Sequence, residues 1–124
     1  MKAVVIVEDD PDIQSLISII FSMDPRFEVA GLAETAEDAL ELVRKTKPQI
    51  IVLDDRLAGE LTGVEVVPDM KEAAPEAKII LFTAHADIQA RAADQPQIDA
   101  FLLKTDTGEL LPLAQQLTNM LSLL

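Results

Sequence analysis

The chain has no cysteine, no tryptophan and no tyrosine. Without cysteine there is neither a disulfide framework nor a thiolate metal site. Without Trp or Tyr there is no evident aromatic platform on which nucleotides could stack. Positive charge is also scarce. Ten Lys and Arg face 22 Asp and Glu, for a formal net charge of −12, and only Arg44, Lys45 and Lys47 stand close together. Binding to nucleic-acid phosphates needs clustered cations, so no direct nucleic-acid binding is expected. Most of the acidity is read as a solubility device. No apolar run reaches the length of a bilayer span, and Met1-Lys2 leads straight into a strand pattern instead of a signal peptide. The expectation is therefore no membrane insertion and a cytoplasmic location. No Gly/Ser/Thr-rich phosphate loop follows the first strand pattern, which speaks against a flavin-binding protein.

What is present is an alternation. With 124 residues, 49% hydrophobic and 26% charged, the chain is read as one globular domain over residues 1–124. Ala3–Val7 is a β-branched, continuous apolar run, the pattern of a strand buried on both faces. Asp10-Pro11 opens a helix with a capping acid and a first-turn proline. Ile13, Leu16, Ile17, Ile20 and Phe21 then recur at helical spacing, and Asp24-Pro25 stops the helix. Phe27–Leu32 is the second strand. Thr35, with Asp38 three residues on, starts a helix with the stripe Ala39, Leu40, Val43, ended by Lys47-Pro48. Strand Ile50–Leu53 is followed by a loop from Asp54 to Gly63, and Val64–Ala74 is a helix that Pro68 would weaken or bend. Lys78–Thr83 is a strand, Asp87–Asp94 a short helix and Ala100–Leu103 the fifth strand. Asp106 to Glu109 opens a last helix with the face Leu110, Leu113, Leu117, Met120, Leu121 and Leu124. Leu111 and Leu123 fall off that face and offer an additional partner surface, with a homodimer as one use. Five strand–helix alternations predict a doubly wound parallel α/β domain with helices on both faces.

Chemistry gathers where strands end. Glu8, Asp9 and Asp10 close the first strand, and Asp54-Asp55 close the third. Carboxylates at the ends of buried strands repel one another unless a cation or a proton relieves them. The carboxyl edge of a parallel sheet is also where open α/β folds bind ligands. Thr83 ends the fourth strand and Lys104 the fifth. Carboxylates that hold a hard cation, with a hydroxyl and an ammonium for phosphoryl oxygens, make a pattern suited to phosphoryl transfer.

Four segments carry a resemblance: Val-Glu-Asp-Asp-Pro (7–11), Pro-Gln-Ile-Ile-Val-Leu-Asp-Asp-Arg-Leu (48–57), Leu-Phe-Thr-Ala (81–84) and Ala-Phe-Leu-Leu-Lys (100–104). In this order and spacing the chain resembles the receiver domain of two-component response regulators over essentially its whole length. The resemblance implies a flavodoxin-like (βα)5 sandwich with strand order 2-1-3-4-5. It implies a phosphorylation-dependent switch in which Asp54 accepts a phosphoryl group from a sensor histidine kinase or a histidine phosphotransfer protein, with Mg²⁺ as cofactor. Such a domain is no enzyme on other molecules, although it assists its own phosphorylation and dephosphorylation. Asp9 and Asp54 would bind the metal directly, Glu8 through metal-bound water, and Arg56 through its backbone carbonyl. Thr83 and Lys104 match the phosphoryl-binding pair, and Ala84 the small residue that leaves the group room. Thr83 and Phe101 match the switch residues that would repack and alter the surface met by a downstream protein target. The chain departs from the family at Thr105, where proline is usual. It also departs in the loop Leu57 to Gly63, one residue longer and without its proline, and at Gln95-Pro96-Gln97.

Plainer roles are assigned elsewhere. Asp10 is a helix cap and Asp55 points away from the site, toward a surface base. His85, the lone histidine, and Arg56 stand where the family tunes loss of the phosphoryl group to water, and are expected to restrict that water. No effector segment follows the last helix, so the chain is a stand-alone receiver or an excised regulatory domain. The competing expectation is a receiver-like interaction module that works without phosphorylation. A metal-dependent phosphatase would want a second acid where Arg56 stands.

Overall fold

The computed structural model describes residues 1–119. Five strands, β1 (Lys2–Val7), β2 (Phe27–Ala33), β3 (Ile50–Leu53), β4 (Lys78–Thr83) and β5 (Ala100–Leu103), pair in parallel in the order β2-β1-β3-β4-β5. The helices between and after them are α1 (Pro11–Ser22), α2 (Ala36–Thr46), α3 (Gly63–Ala73), α4 (Ile88–Ala93) and α5 (Leu110–Leu117). The alternation predicted the doubly wound parallel sheet, and the resemblance implied this flavodoxin-like strand order.

Successive strand residues face opposite sides of a sheet, and here each side has its own core. Val5, Val7, Ile51, Leu53, Ile79 and Leu81 face α2, α3 and α4, meeting Ala39, Val43, Val66, Val67, Met70 and Ile88. Val4, Ile6, Ile50, Val52, Ile80 and Phe82 face α1 and α5, meeting Ile17, Ile20, Phe21, Leu110 and Ala114. Phe21 and Phe27 meet edge to face at 5.2 Å, joining the end of α1 to β2. Burying each large aliphatic side chain contributes about 1.5–3 kcal/mol, which explains why the central strands are uninterrupted apolar runs.

Helix starts follow the side chains that cap them. Asp10 accepts the Asp12 amide before Pro11, and Thr35 accepts the Asp38 amide. Lys47 closes α2 in the left-handed region, at φ 47°, just before Pro48.

Pro68 lies inside α3, the helix it was expected to weaken or bend. Its ring is exposed, and its missing N–H leaves the Val64 carbonyl without a helical donor. Three expectations need correction. Leu16, assigned to the buried stripe of α1, is 38% exposed; Ile13, Ile17, Ile20 and Phe21 already cover the sheet. The last helix does not open as one α-helix at Asp106. Lys104–Glu109 is a 3-10 helix broken by the non-helical Asp106 (φ −109°, ψ 41°), and α5 begins at Leu110 with no side-chain cap. Leu111 is not a free surface residue, since it packs against the core on the α1–α5 side. Met120, Leu121, Leu123 and Leu124 lie outside the described residues. Among the described residues no helix is long and apolar enough to cross a membrane.

Candidate functional site

β1 and β3 are adjacent and in register, Val7 opposite Leu53, and the Asp54 amide donates to the Val7 carbonyl at 3.0 Å. The residues that follow the two strands, Glu8-Asp9 and Asp54, therefore leave the sheet side by side. One carboxylate oxygen from each of Glu8, Asp9 and Asp54 lies within 4.8 Å of the others. Glu8 and Asp54 are buried, and Asp9 is exposed.

Lys104 reaches this group from the far edge. It follows β5, and its Nζ lies 2.9 Å from Asp54 Oδ2 while also ion-pairing Glu8 Oε1. Peptide bonds among the described residues are all trans, so Lys104 attains this position with Thr105 behind it. The ammonium compensates only part of the acid. Burial pushes the Glu8 carboxyl up to about 7; the Lys104 hydrogen bond opposes the shift and the nearby Asp54 charge adds to it. For Lys104 burial alone would lower the pKa, but its bonds to Glu8 and Asp54 outweigh that and raise it. A buried acid held partly protonated beside two further carboxylates, all offering hard oxygen donors, fits a divalent cation such as Mg²⁺. The donor set suits that ion.

The supporting backbone is equally specific. Gln14 donates to the Glu8 carbonyl at 2.5 Å, and the Asp10 amide donates to Glu8 Oε2 at 3.3 Å, fixing the turn from β1 into α1. The start of α3 is pressed against the end of β3. A Cβ on Gly63 would stand 2.1 Å from the Asp54 carbonyl oxygen, so only glycine fits. Thr62 and Glu65 form a reciprocal capping box there. Its Thr-x-x-Glu signature is legible in the sequence but was not among the expectations. The longer loop before Gly63 turns at Gly59, φ +93°, and Ala58 bridges in parallel to Thr35 at the start of α2.

The remaining expected residues take less intimate places. Arg56 is exposed, and its amide donates to Asp54 Oδ1 at 3.4 Å. Thr83 is fully buried at the end of β4, and its hydroxyl accepts the His85 amide at 3.4 Å. Ala84 is exposed, and His85 half-buried in the loop before α4. Phe101 is half-buried on β5, packed toward the α4 side, and lines a shallow cavity with Gln89, Ala92, Ala93, Ile98 and Ala100. Asp10 caps α1, as expected. Asp55 does point away from the acidic group: its Oδ1 accepts the Val64 amide at 3.0 Å and its Oδ2 lies 3.7 Å from Arg91 Nη1. The contributions of Gln14 and Arg91 carry no local sequence signal, because both depend on how the loops turn.

Comparison with known proteins agrees with this geometry. Residues 4–115 match the family model described as a response regulator receiver domain. The chain is 32% identical over 84 residues to the transcriptional regulatory protein DegU of Brevibacillus brevis, covering 68% of this chain and 35% of that protein. It therefore spans about a third of that relative's length. A LuxR-family two-component response regulator from Aurantimonas superposes with a TM-score of 0.84 at 24% identity, covering 96% of this chain and 86% of the other. The response regulator TrrA of Thermotoga maritima, solved in complex with Mg²⁺ and BeF, superposes with a TM-score of 0.83 at 26% identity, covering 94% and 99%.

Proposed function

The chain belongs to the response regulator receiver domains, and on that premise we propose that it is a phosphorylation switch whose acceptor is Asp54. The observation that carries this reading is the Lys104 ammonium, 2.9 Å from Asp54 Oδ2 and paired with Glu8, beside three clustered carboxylates. Glu8 and Asp54 both belong to the acidic cluster and both pair with the ammonium; Asp54 is taken as the acceptor because it stands where the resemblance to receiver domains puts the phosphoacceptor.

In the proposed reaction an Asp54 carboxylate oxygen attacks phosphorus and forms a P–O bond. The bond from phosphorus to the donor breaks, a P–N bond for a phosphohistidine or a P–O bond for acetyl phosphate, and the donor leaves with that electron pair. Glu8, Asp9 and Asp54 would hold Mg²⁺, which when bound neutralises phosphoryl charge. Lys104 supplies a positive charge where the new phosphoryl oxygens develop, and Thr83 supplies a hydroxyl once it turns from the His85 amide. Ala84 leaves space beside the group, and the Arg56 carbonyl is a further donor to the cation. Thr83 and Phe101 then pass the change to the α4–β5 surface, which would meet a downstream protein target. A sensor histidine kinase or a histidine phosphotransfer protein is the proposed donor.

The test is incubation with Mg²⁺ and acetyl phosphate, followed by intact mass spectrometry. A gain of one phosphoryl group, absent in Asp54→Asn and absent when EDTA removes the cation, is expected. A wild-type chain that gains nothing from acetyl phosphate or from a cognate kinase would instead support an interaction module that works without phosphorylation.

A further inference from the structure

Asp55 is the acid next to the proposed acceptor, and it is 2% exposed. Three of its atoms are committed. Its carbonyl accepts the Gly63 amide at 2.9 Å, Oδ1 accepts the Val64 amide at 3.0 Å, and Oδ2 faces Arg91 Nη1 at 3.7 Å. A carboxylate at that depth needs donors and a counter-charge. Among the described residues Arg91 is the cation within ion-pairing distance of it. The Glu65 carboxylate of α3 also feels the Arg91 charge.

Arg91 stands on α4, and α4 is thinly attached. It has six residues, no side-chain cap bond, and only Ile88 and Ala92 buried. Beside the burial of Ile88 and Ala92, the ion pair is one further tie on so short a helix. At its other end the pair rests on the residue that follows Asp54, whose own carbonyl lies against Gly63.

We propose that Asp55 and Arg91 form a latch that ties α4 to the acceptor strand end, so that Asp55 positions α4 against Asp54. The latch holds α4 in its resting place. By linkage, whatever releases α4 favours occupancy of the Asp54 site by the same factor as occupancy releases α4. This second consequence rests on the reading of Asp54 given above, whereas the latch itself does not.

The experiment compares wild type, Arg91→Ala and Arg91→Lys. Amide hydrogen exchange of residues 88–93 is measured first without ligand. Binding of Mg²⁺ with beryllofluoride is then titrated by fluorine NMR. In Arg91→Ala, exchange in α4 is expected to rise about fivefold, the scale of a half-exposed ion pair, with β1 and β3 amides unchanged. Beryllofluoride should bind tighter by a factor of the same order, and Arg91→Lys should recover part of both effects. Unchanged α4 exchange in Arg91→Ala, or a rise shared equally by β1 and β3, would overturn the latch. Faster α4 exchange with unaltered beryllofluoride affinity would overturn its link to Asp54. A wild-type chain that binds no beryllofluoride counts against the Asp54 reading, and the exchange comparison still decides the latch.

Discussion

Glu8 is the acid of the group that burial disturbs most. Its carboxyl ordinarily titrates near 4.5 and in the fold is held up to about 7 by burial, with Asp54 nearby. A raised acid means that the folded chain binds a proton more firmly than the unfolded one. Stability of the metal-free protein should therefore fall as pH rises from about 4.5 to about 7, and stay at the lower level above that. Urea unfolding of Glu8→Gln across this window should lack that decline; an identical slope in both proteins would remove Glu8 as its source. At Arg56 and His85 the expectation is kinetic. Both residues stand in loops that flank Asp54, and they are proposed to limit the water that attacks the phosphoryl group. The double alanine variant, phosphorylated with acetyl phosphate and then freed of donor, should lose its phosphoryl group several-fold faster by intact mass. An unchanged or longer lifetime would sink that role.

At the scale of elements, the start of α3 is the tightest fit. Alanine ordinarily suits a helix far better than glycine, yet a Cβ on Gly63 meets the Asp54 carbonyl at 2.1 Å. Backbone cannot rotate away as a side chain can, so α3 must shift or Asp54 must move. Gly63→Ala should destabilise the domain by about 3 kcal/mol, the upper end for overpacking, as read from the urea midpoint. A second fastening joins α1 to α5: Asp24, just beyond α1, accepts from Arg26 and from Gln115 of α5. Those bonds hold the Asp24 carboxyl well below its usual 3.8. A depressed acid contributes stability above its unfolded pKa and loses it as pH falls through the folded one. The wild-type advantage over Asp24→Asn should therefore be full at neutral pH and shrink progressively below about 3.8.

Elements were legible where side-chain chemistry is local. Strands at Ile50–Leu53, Lys78–Thr83 and Ala100–Leu103 have the bounds that their apolar runs predict, because a short apolar run between polar residues has few other uses. Asp10 and Thr35 announce their helices because a cap acts across three residues. The last helix was misjudged at its start for the opposite reason. Thr105 to Glu109 contains capping residues and a glycine, but the turn they make follows the position of Lys104 over the acidic group. Leu16 was misjudged because periodicity marks a face and not the width of sheet available to cover it. Asp55 could be assigned a direction but not a partner, since Arg91 is 36 positions away and arrives on a different helix.

For the molecule as a whole, the site was legible because parallel strands deliver their ends to one edge, so a linear order of runs becomes a spatial cluster. Its four charged members are nevertheless anchored unequally. Glu8, Asp9 and Asp54 hang from β1 and β3, whose side chains from Val4 and from Ile50 onward are buried and which are flanked by strands on both sides. Lys104 hangs from β5, an edge strand whose four residues are all only half-buried. Local opening begins at such edges, at free energies well below that of global unfolding. The acidic members thus share the lifetime of the fold, while their ammonium keeps a shorter clock of its own. Each excursion of the β5 end leaves the carboxylates assembled but uncompensated, a moment in which a cation from solvent meets its strongest field.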